Sequence, residues 1–146
     1  MKTLIKNGTI INANESKKAN ILIENDKIIA ITQDEPAADK VIDASGKLVM
    51  PGLIDIHVHF RDPGFEYKDD IITGSQTAVA GGVTACCPMA NTNPVNDNAT
   101  ITRDMIEKAK KRGLIDLMPI GAITKGMKGG GITEMGEMSE AGCVAF

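Results

Sequence analysis

The stretch Pro51-Gly52-Leu53-Ile54-Asp55-Ile56-His57-Val58-His59-Phe60-Arg61-Asp62-Pro63-Gly64 decides how the rest of the chain is read. Apolar and polar residues alternate through it with period two, the spacing of a strand. The alternation predicts Ile54, Ile56, Val58 and Phe60 on one face and Asp55, His57, His59 and Arg61 on the other. Such a polar set does not suit a face covered by helices. It suits the inner wall of a barrel at the C-terminal end of a strand, where barrel enzymes keep their active sites. Two imidazoles two residues apart on one strand face reach a single metal ion, with the small apolar residue between them turned away. Asp55 is expected to hold a histidine or shape the surroundings of the metal ligands. H-x-H alone is a weak signal that also fits a solvated edge strand. The chain has only two histidines, and both fall here, on an otherwise apolar strand just before the turn Asp62-Pro63-Gly64. That concentration favours metal binding.

Downstream of this strand the pattern alternates strand and helix, which indicates βα units and a parallel sheet. A helix is predicted over Asp69 to Ala80, with Ile71, Ile72, Ser75, Ala78 and Val79 on one face and Gly81-Gly82 at its end. A strand follows over Val83 to Cys87, then a helix over Asn98 to Arg112 with Ile101, Met105, Ile106 and Ala109 as its apolar stripe. Lys108 to Arg112 reads as a solvated face. Leu114 to Ile123 is expected as a third strand, Gly129-Gly130-Gly131 as a mobile loop, Glu134 to Ala141 as a short helix and Cys143 to Phe146 as the opening of a fourth strand. Asp69, Asp70, Glu134 and Glu137 fall in first helical turns, where acids complement the helix dipole. A second polar cluster, Met89-Ala90-Asn91-Thr92-Asn93-Pro94, follows the second strand, where its amides can bond a small ligand. Taken alone it is more often a plain turn, and adjacency to the first strand in a parallel barrel brings the two readings level.

Upstream, residues 1 to 50 read as a small β segment: short Ile- and Leu-rich strands, a hairpin turn at Glu24-Asn25-Asp26-Lys27, and a further strand pair from Val41-Ile42 and Lys47 to Met50. The expected fold class is therefore α/β, with residues 1–50 as part of a β-sandwich and residues 51–146 as the first part of a (β/α)8 barrel. A complete barrel takes roughly 250 residues, so the sequence reads as the front of something larger, with about three βα units.

Composition excludes several classes. With 146 residues, 42% hydrophobic, 24% charged and a net charge of -3, the chain is neither disordered nor fibrous. Its basic residues are scattered, so no footprint for nucleic acid is present. No apolar run is long enough for a membrane span and no signal peptide opens the chain, which predicts a cytoplasmic protein without a membrane partner. Cys86, Cys87 and Cys143 form neither a disulfide framework nor a metal clip, and read as small buried residues.

The residues Asp55 to Lys68, Ala80-Gly81-Gly82-Val83-Thr84, Met89 to Pro94 and Ile123-Thr124-Lys125-Gly126 together resemble dihydroorotase of the class I type, in the amidohydrolase superfamily. The resemblance spans nearly the whole chain. It implies a zinc enzyme, with two ions per complete site, that interconverts N-carbamoyl-L-aspartate and L-dihydroorotate in pyrimidine (UMP) biosynthesis. It further implies that His57 and His59 are ligands of the more buried zinc, and that Arg61 and Asn91, with His59 beside them, contact the substrate. Ala90 stands where the family usually has Pro, which loosens the loop but keeps Asn91. The resemblance expects a metal-bridging acid or carboxylated lysine, two further histidines and the catalytic Asp beyond Phe146, so no catalytic residue is assigned within this chain. The chain alone is expected to be inactive and poorly soluble, because an open half-barrel exposes strand edges. The partner is expected to be the small-molecule substrate, with a homodimer or a complex with aspartate carbamoyltransferase as further candidates. Two other readings stand beside this one: a non-catalytic scaffold for aspartate carbamoyltransferase, and a hydantoinase or allantoinase. The resemblance gives Arg61 the substrate carboxylate to bind, which separates dihydroorotase from the hydantoinases, whose substrates lack that group.

Overall fold

Runs of Ile and Val broken by Asn, Asp and Gly favour short strands and tight turns over the first fifty residues. In the computed structural model, which describes residues 1–146, these residues form the first of two units, Met1–Pro51, and the remainder forms the second, Gly52–Phe146. The first unit contains β1 (Lys2–Lys6), β2 (Thr9–Ile11), β3 (Ser16–Lys18), β4 (Asn20–Glu24), β5 (Lys27–Thr32), β6 (Lys40–Asp43) and β7 (Leu48–Val49). Strands order as β5-β4-β1-β6 in one sheet and β3-β2-β7 in another. The hairpin expected at Asn25-Asp26 joins β4 to β5, with Glu24 opposite Lys27 and Asn25 at φ 57. Ile10 of the second sheet and Ile21 of the first share a core with Ala19, flanked by Ile5, Ile23 and Val49. The strands around Val41-Ile42 and Leu48 do not pair with each other as expected. Each runs parallel to an earlier strand, β6 beside β1 and β7 beside β2, because the turn at Ser45-Gly46 passes the chain from one sheet to the other.

The second unit contains β8 (Leu53–Val58), α1 (Ile71–Ala80), β9 (Val83–Pro88), α2 (Ala99–Arg112), β10 (Asp116–Leu117) and α3 (Met135–Glu140). The three strands are parallel and adjacent in chain order, with α1 and α2 as the crossovers between them. The two principal helices start on side-chain caps. Asp70 accepts from the N–H groups of Ile72 and Thr73 in a capping box completed by Thr73, and Asn98 accepts from Thr100 and Ile101. Gly82, at φ 80, supplies the left-handed residue just past α1. On α2, Met105 and Ala109 are buried as expected, joined by Ala99 and Thr102. Ile71, Phe60, Cys86, Met105, Ala109 and Ile115 form the core between sheet and helices. Full burial of a side chain such as Ile71 or Met105 contributes about 1.5–3 kcal/mol. Val79, expected on the buried face of α1, is 43% exposed.

Three other expectations change. The third strand is only two residues long, Asp116–Leu117, although Met118 and Ile120 still donate to Cys86 and Pro88 of β9. Residues 143–146 meet this segment through one parallel bridge, Ile120 to Ala145. The Gly-rich loop is fastened at its base: Lys125 N–H donates to the Gly131 carbonyl, Gly126 N–H to the Asp97 carboxylate and Gly129 N–H to Thr124 Oγ1. No helix is long and apolar enough to cross a membrane.

Candidate active site

The site is built where β8 and β9 end. Period-two alternation does not run unbroken through β8, since its pairing with β9 shifts between Asp55 and Val58. Beyond the shift, Val58 and Phe60 pack toward the helices, as expected. Before it, Asp55 borders the cleft formed by Val58, Phe60, Thr77, Ala78 and Cys86 on that same side, while Ile54 and Ile56 are 60% and 73% exposed. The placement expected for Asp55 on the histidine face is therefore corrected. Its carboxylate accepts from the main-chain N–H of His57, at 3.1 Å, and touches no imidazole.

His57 and His59 lie together, their rings edge to face with centroids 5.2 Å apart, and both are exposed. Nδ1 of His59 is 2.9 Å from Oδ1 of Asn91, three residues past the end of β9. An amide oxygen only accepts, so Nδ1 of His59 is the donor in this contact, and in the neutral ring the lone pair then sits on Nε2. A ring nitrogen so prepared, beside a second imidazole, is what a zinc ion takes from protein. The donor set fits zinc as far as it goes. It consists of these two imidazoles, and no group of three or more His, Cys, Asp or Glu forms within the chain.

Asn91 is held by its loop. The carbonyl of Ala90 accepts from the N–H groups of Thr92 and Asn96, and Thr92 Oγ1 donates to the Pro94 carbonyl at 2.7 Å, so the loop is tied without a proline at position 90. Beneath it, Asn96 and Thr102 are fully buried and bonded to each other at 2.8 Å. The loop after β8 is locked to this one. Asn93 N–H donates to the Pro63 carbonyl, and Gly64 packs so closely that a Cβ there would lie 1.8 Å from the Asn93 carbonyl oxygen.

Arg61 lies outside the strand, which ends at Val58. Its backbone sits at φ 62 and its carbonyl accepts from Phe65 N–H, so its position follows from the turn and not from strand alternation. Sequence reasoning read Asp62 only as part of that turn and Lys108 as solvated. Both are corrected: the Asp62 side chain is 2% exposed, and Oδ1 accepts from Lys108 Nζ at 2.6 Å while Oδ2 accepts from Ile71 N–H at the start of α1. Residues 46 apart in the chain carry no local signal of such a pair.

A cavity of about 530 Å³ opens in front of the strand ends, lined by His59, Asn91, Met89, Ile120, Thr124 and Phe146 among others. Cys86, Cys87 and Cys143 are free and buried. Burial first, and the nearby charge of Asp55 second, push the thiols of Cys86 and Cys87 above the ordinary cysteine value, which keeps them protonated and unreactive at neutral pH.

A profile described as dihydro-orotase-like matches residues 46–146. Dihydroorotase from Syntrophotalea carbinolica is 51% identical over 99% of this chain and 35% of its own length, and that from Geobacter sulfurreducens is 48% identical with the same coverage. Among solved structures, L-hydantoinase from Arthrobacter aurescens matches 99% of this chain and 32% of its own with a TM-score of 0.87 at 28% identity. A D-hydantoinase matches 96% and 29% with a TM-score of 0.75 at 33% identity. The chain belongs to the dihydro-orotase-like family, and it spans about a third of the length of the curated relatives it matches.

Proposed function

We propose that this chain is the N-terminal portion of a zinc-dependent dihydroorotase, an enzyme that reversibly hydrolyses the cyclic amide of L-dihydroorotate to N-carbamoyl-L-aspartate. The observation that carries the reading is the His59–Asn91 contact, which fixes one imidazole for a metal at the mouth of a cavity. In this reading residues 51–146 open a (β/α)8 barrel and residues 1–50 contribute to a β-sandwich. The remaining metal ligands and the catalytic Asp come from the part of the enzyme that corresponds to the rest of the relatives' length.

His57 and His59 would hold the metal. Zinc, when bound, supplies Lewis acidity toward the ring amide carbonyl and the attacking water. The chain's own residues do the rest of the work at this end of the site. Asn91 holds His59 through Oδ1 and keeps both amide protons on Nδ2 for a substrate carboxylate. Arg61, in the turn after β8, supplies a guanidinium whose fork matches that carboxylate. The apolar lining from Met89, Ile120 and Phe146 limits water around the ring.

A hydantoin-type cyclic amide is the second reading, favoured by the TM-score of 0.87 to a hydantoinase. One experiment separates them. Steady-state kinetics of the complete enzyme on dihydroorotate, dihydrouracil and hydantoin should show preference for dihydroorotate, and Arg61→Ala should abolish that preference. Equal turnover of all three by the wild type would assign the second reading instead.

A further inference from the structure

The turn that carries Arg61 needs an external support. A non-glycine residue at φ 62 is rare, and it persists where the surroundings over-determine it. Four bonds hold this turn: Phe65 N–H on the Arg61 carbonyl, Asn93 N–H on the Pro63 carbonyl, Ile71 N–H on Asp62 Oδ2, and Lys108 Nζ on Asp62 Oδ1. Only the last comes from α2. The Asp62 side chain is 2% exposed while that of Lys108 is 39% exposed, so the carboxylate is the fixed member and the lysine reaches in to it. An isolated buried carboxylate is strongly disfavoured, and removing one partner of such a pair makes the other seek water or a proton. The packing of α2 does not depend on this contact, because Ala99, Thr102, Met105 and Ala109 bury its inner face. Losing the ammonium therefore loosens the Asp62 side of the turn, next to Arg61, before it releases the helix. Burial works to lower the pKa of Lys108, but the hydrogen bond and charge of Asp62, with Glu66 and Asp104, outweigh it and hold the ammonium above the ordinary lysine value.

We propose that Lys108 is a positioning residue for substrate binding: through the Asp62 carboxylate it fixes the turn from which Arg61 meets the substrate carboxylate. The proposal rests on the role given to Arg61 above.

The test uses the complete enzyme with Lys108→Met, Lys108→Gln, Lys108→Arg, Arg61→Ala and the double variant Lys108→Met/Arg61→Ala. Expected for Lys108→Met and Lys108→Gln is a rise in KM for dihydroorotate of roughly tenfold, with kcat within about twofold and zinc content unchanged. Lys108→Arg should restore KM to within about twofold, because it returns the charge. In the Arg61→Ala background the Lys108→Met effect on KM should vanish, since the two residues act on one contact. A lowered melting temperature with unchanged KM in both Lys108→Met and Lys108→Gln, or additive effects in the double variant, overturns the proposal and leaves the role of Arg61 standing. If Arg61→Ala itself leaves KM unchanged, the role of Arg61 falls and the proposal with it. Should Lys108→Met fail to fold, Lys108→Gln and Lys108→Arg carry the same comparison.

Discussion

The amide oxygen of Asn91 lies 2.9 Å from Nδ1 of His59, so in the proposed reading one side chain would both orient the histidine and offer its nitrogen to a ligand. The two functions of one side chain can be separated by substitution. In the complete enzyme, Asn91→Ala should lower zinc affinity about 10- to 100-fold, the usual cost of losing a partner that orients a metal-ligating histidine. Asn91→Asp keeps an acceptor for Nδ1 and should regain most of that affinity, while remaining poor in KM because it offers a carboxylate no amide protons. Competition with a chromophoric chelator reads the first quantity and steady-state kinetics the second.

His57 has no such partner, and its ring stands 5.2 Å from that of His59. His57→Ala in the complete enzyme should reduce bound zinc and abolish turnover, both read by elemental analysis and an activity assay on the same sample. An active variant with full metal content would remove His57 from the ligand set.

Gly64 is set by conformation and by space together. Its φ is 94, and a Cβ there would lie 1.8 Å from the Asn93 carbonyl oxygen and 2.6 Å from Asn93 Cβ. Gly64→Ala should therefore destabilise the protein by more than about 2 kcal/mol, combining the left-handed penalty with the displacement of the neighbouring loop. A shift of the urea midpoint at constant slope checks it.

Asp70 gives a pH signature. The Thr73 N–H, opposed by desolvation and aided by the Ile72 N–H, holds the Asp70 carboxyl below its ordinary value. A depressed carboxylate pKa contributes stability above the unfolded value near about 3.9, and that stability is lost as pH falls through the folded value. Asp70→Ala should cost about 1 kcal/mol at neutral pH. The gap between wild type and variant should close below pH of about 4, measured by denaturation across a pH series.

β8 lies at the edge of its three-stranded sheet with Ile54 and Ile56 exposed. The 146-residue chain expressed alone should self-associate through this edge, and Ile56→Lys should raise its monomer fraction in light scattering after size exclusion.

Several features were readable from residue order. Asn98 before an amphipathic run and Gly113 after it mark α2, and Asn25-Asp26 between two Ile-rich runs marks a hairpin, because caps and tight turns are local chemistry. The motif His57-Val58-His59 brought its two rings together as the spacing required. What stayed hidden depends on pairing at a distance. The register shift inside β8 that moves Asp55 toward the helices arises from how β8 meets β9. The partners of β6 and β7 depend on which sheet the chain enters after Gly46. The pairing of Asp62 with Lys108 joins a turn to a helix that a single sequence does not connect.

The contact between Gly64 and Asn93, together with the Asn93 N–H on Pro63, makes the two loops beyond β8 and β9 a single mechanical piece. Any exchange of substrate preference by loop grafting from a relative must transplant both segments as one cassette, since either half inserted alone would meet a surface cut for a different mate.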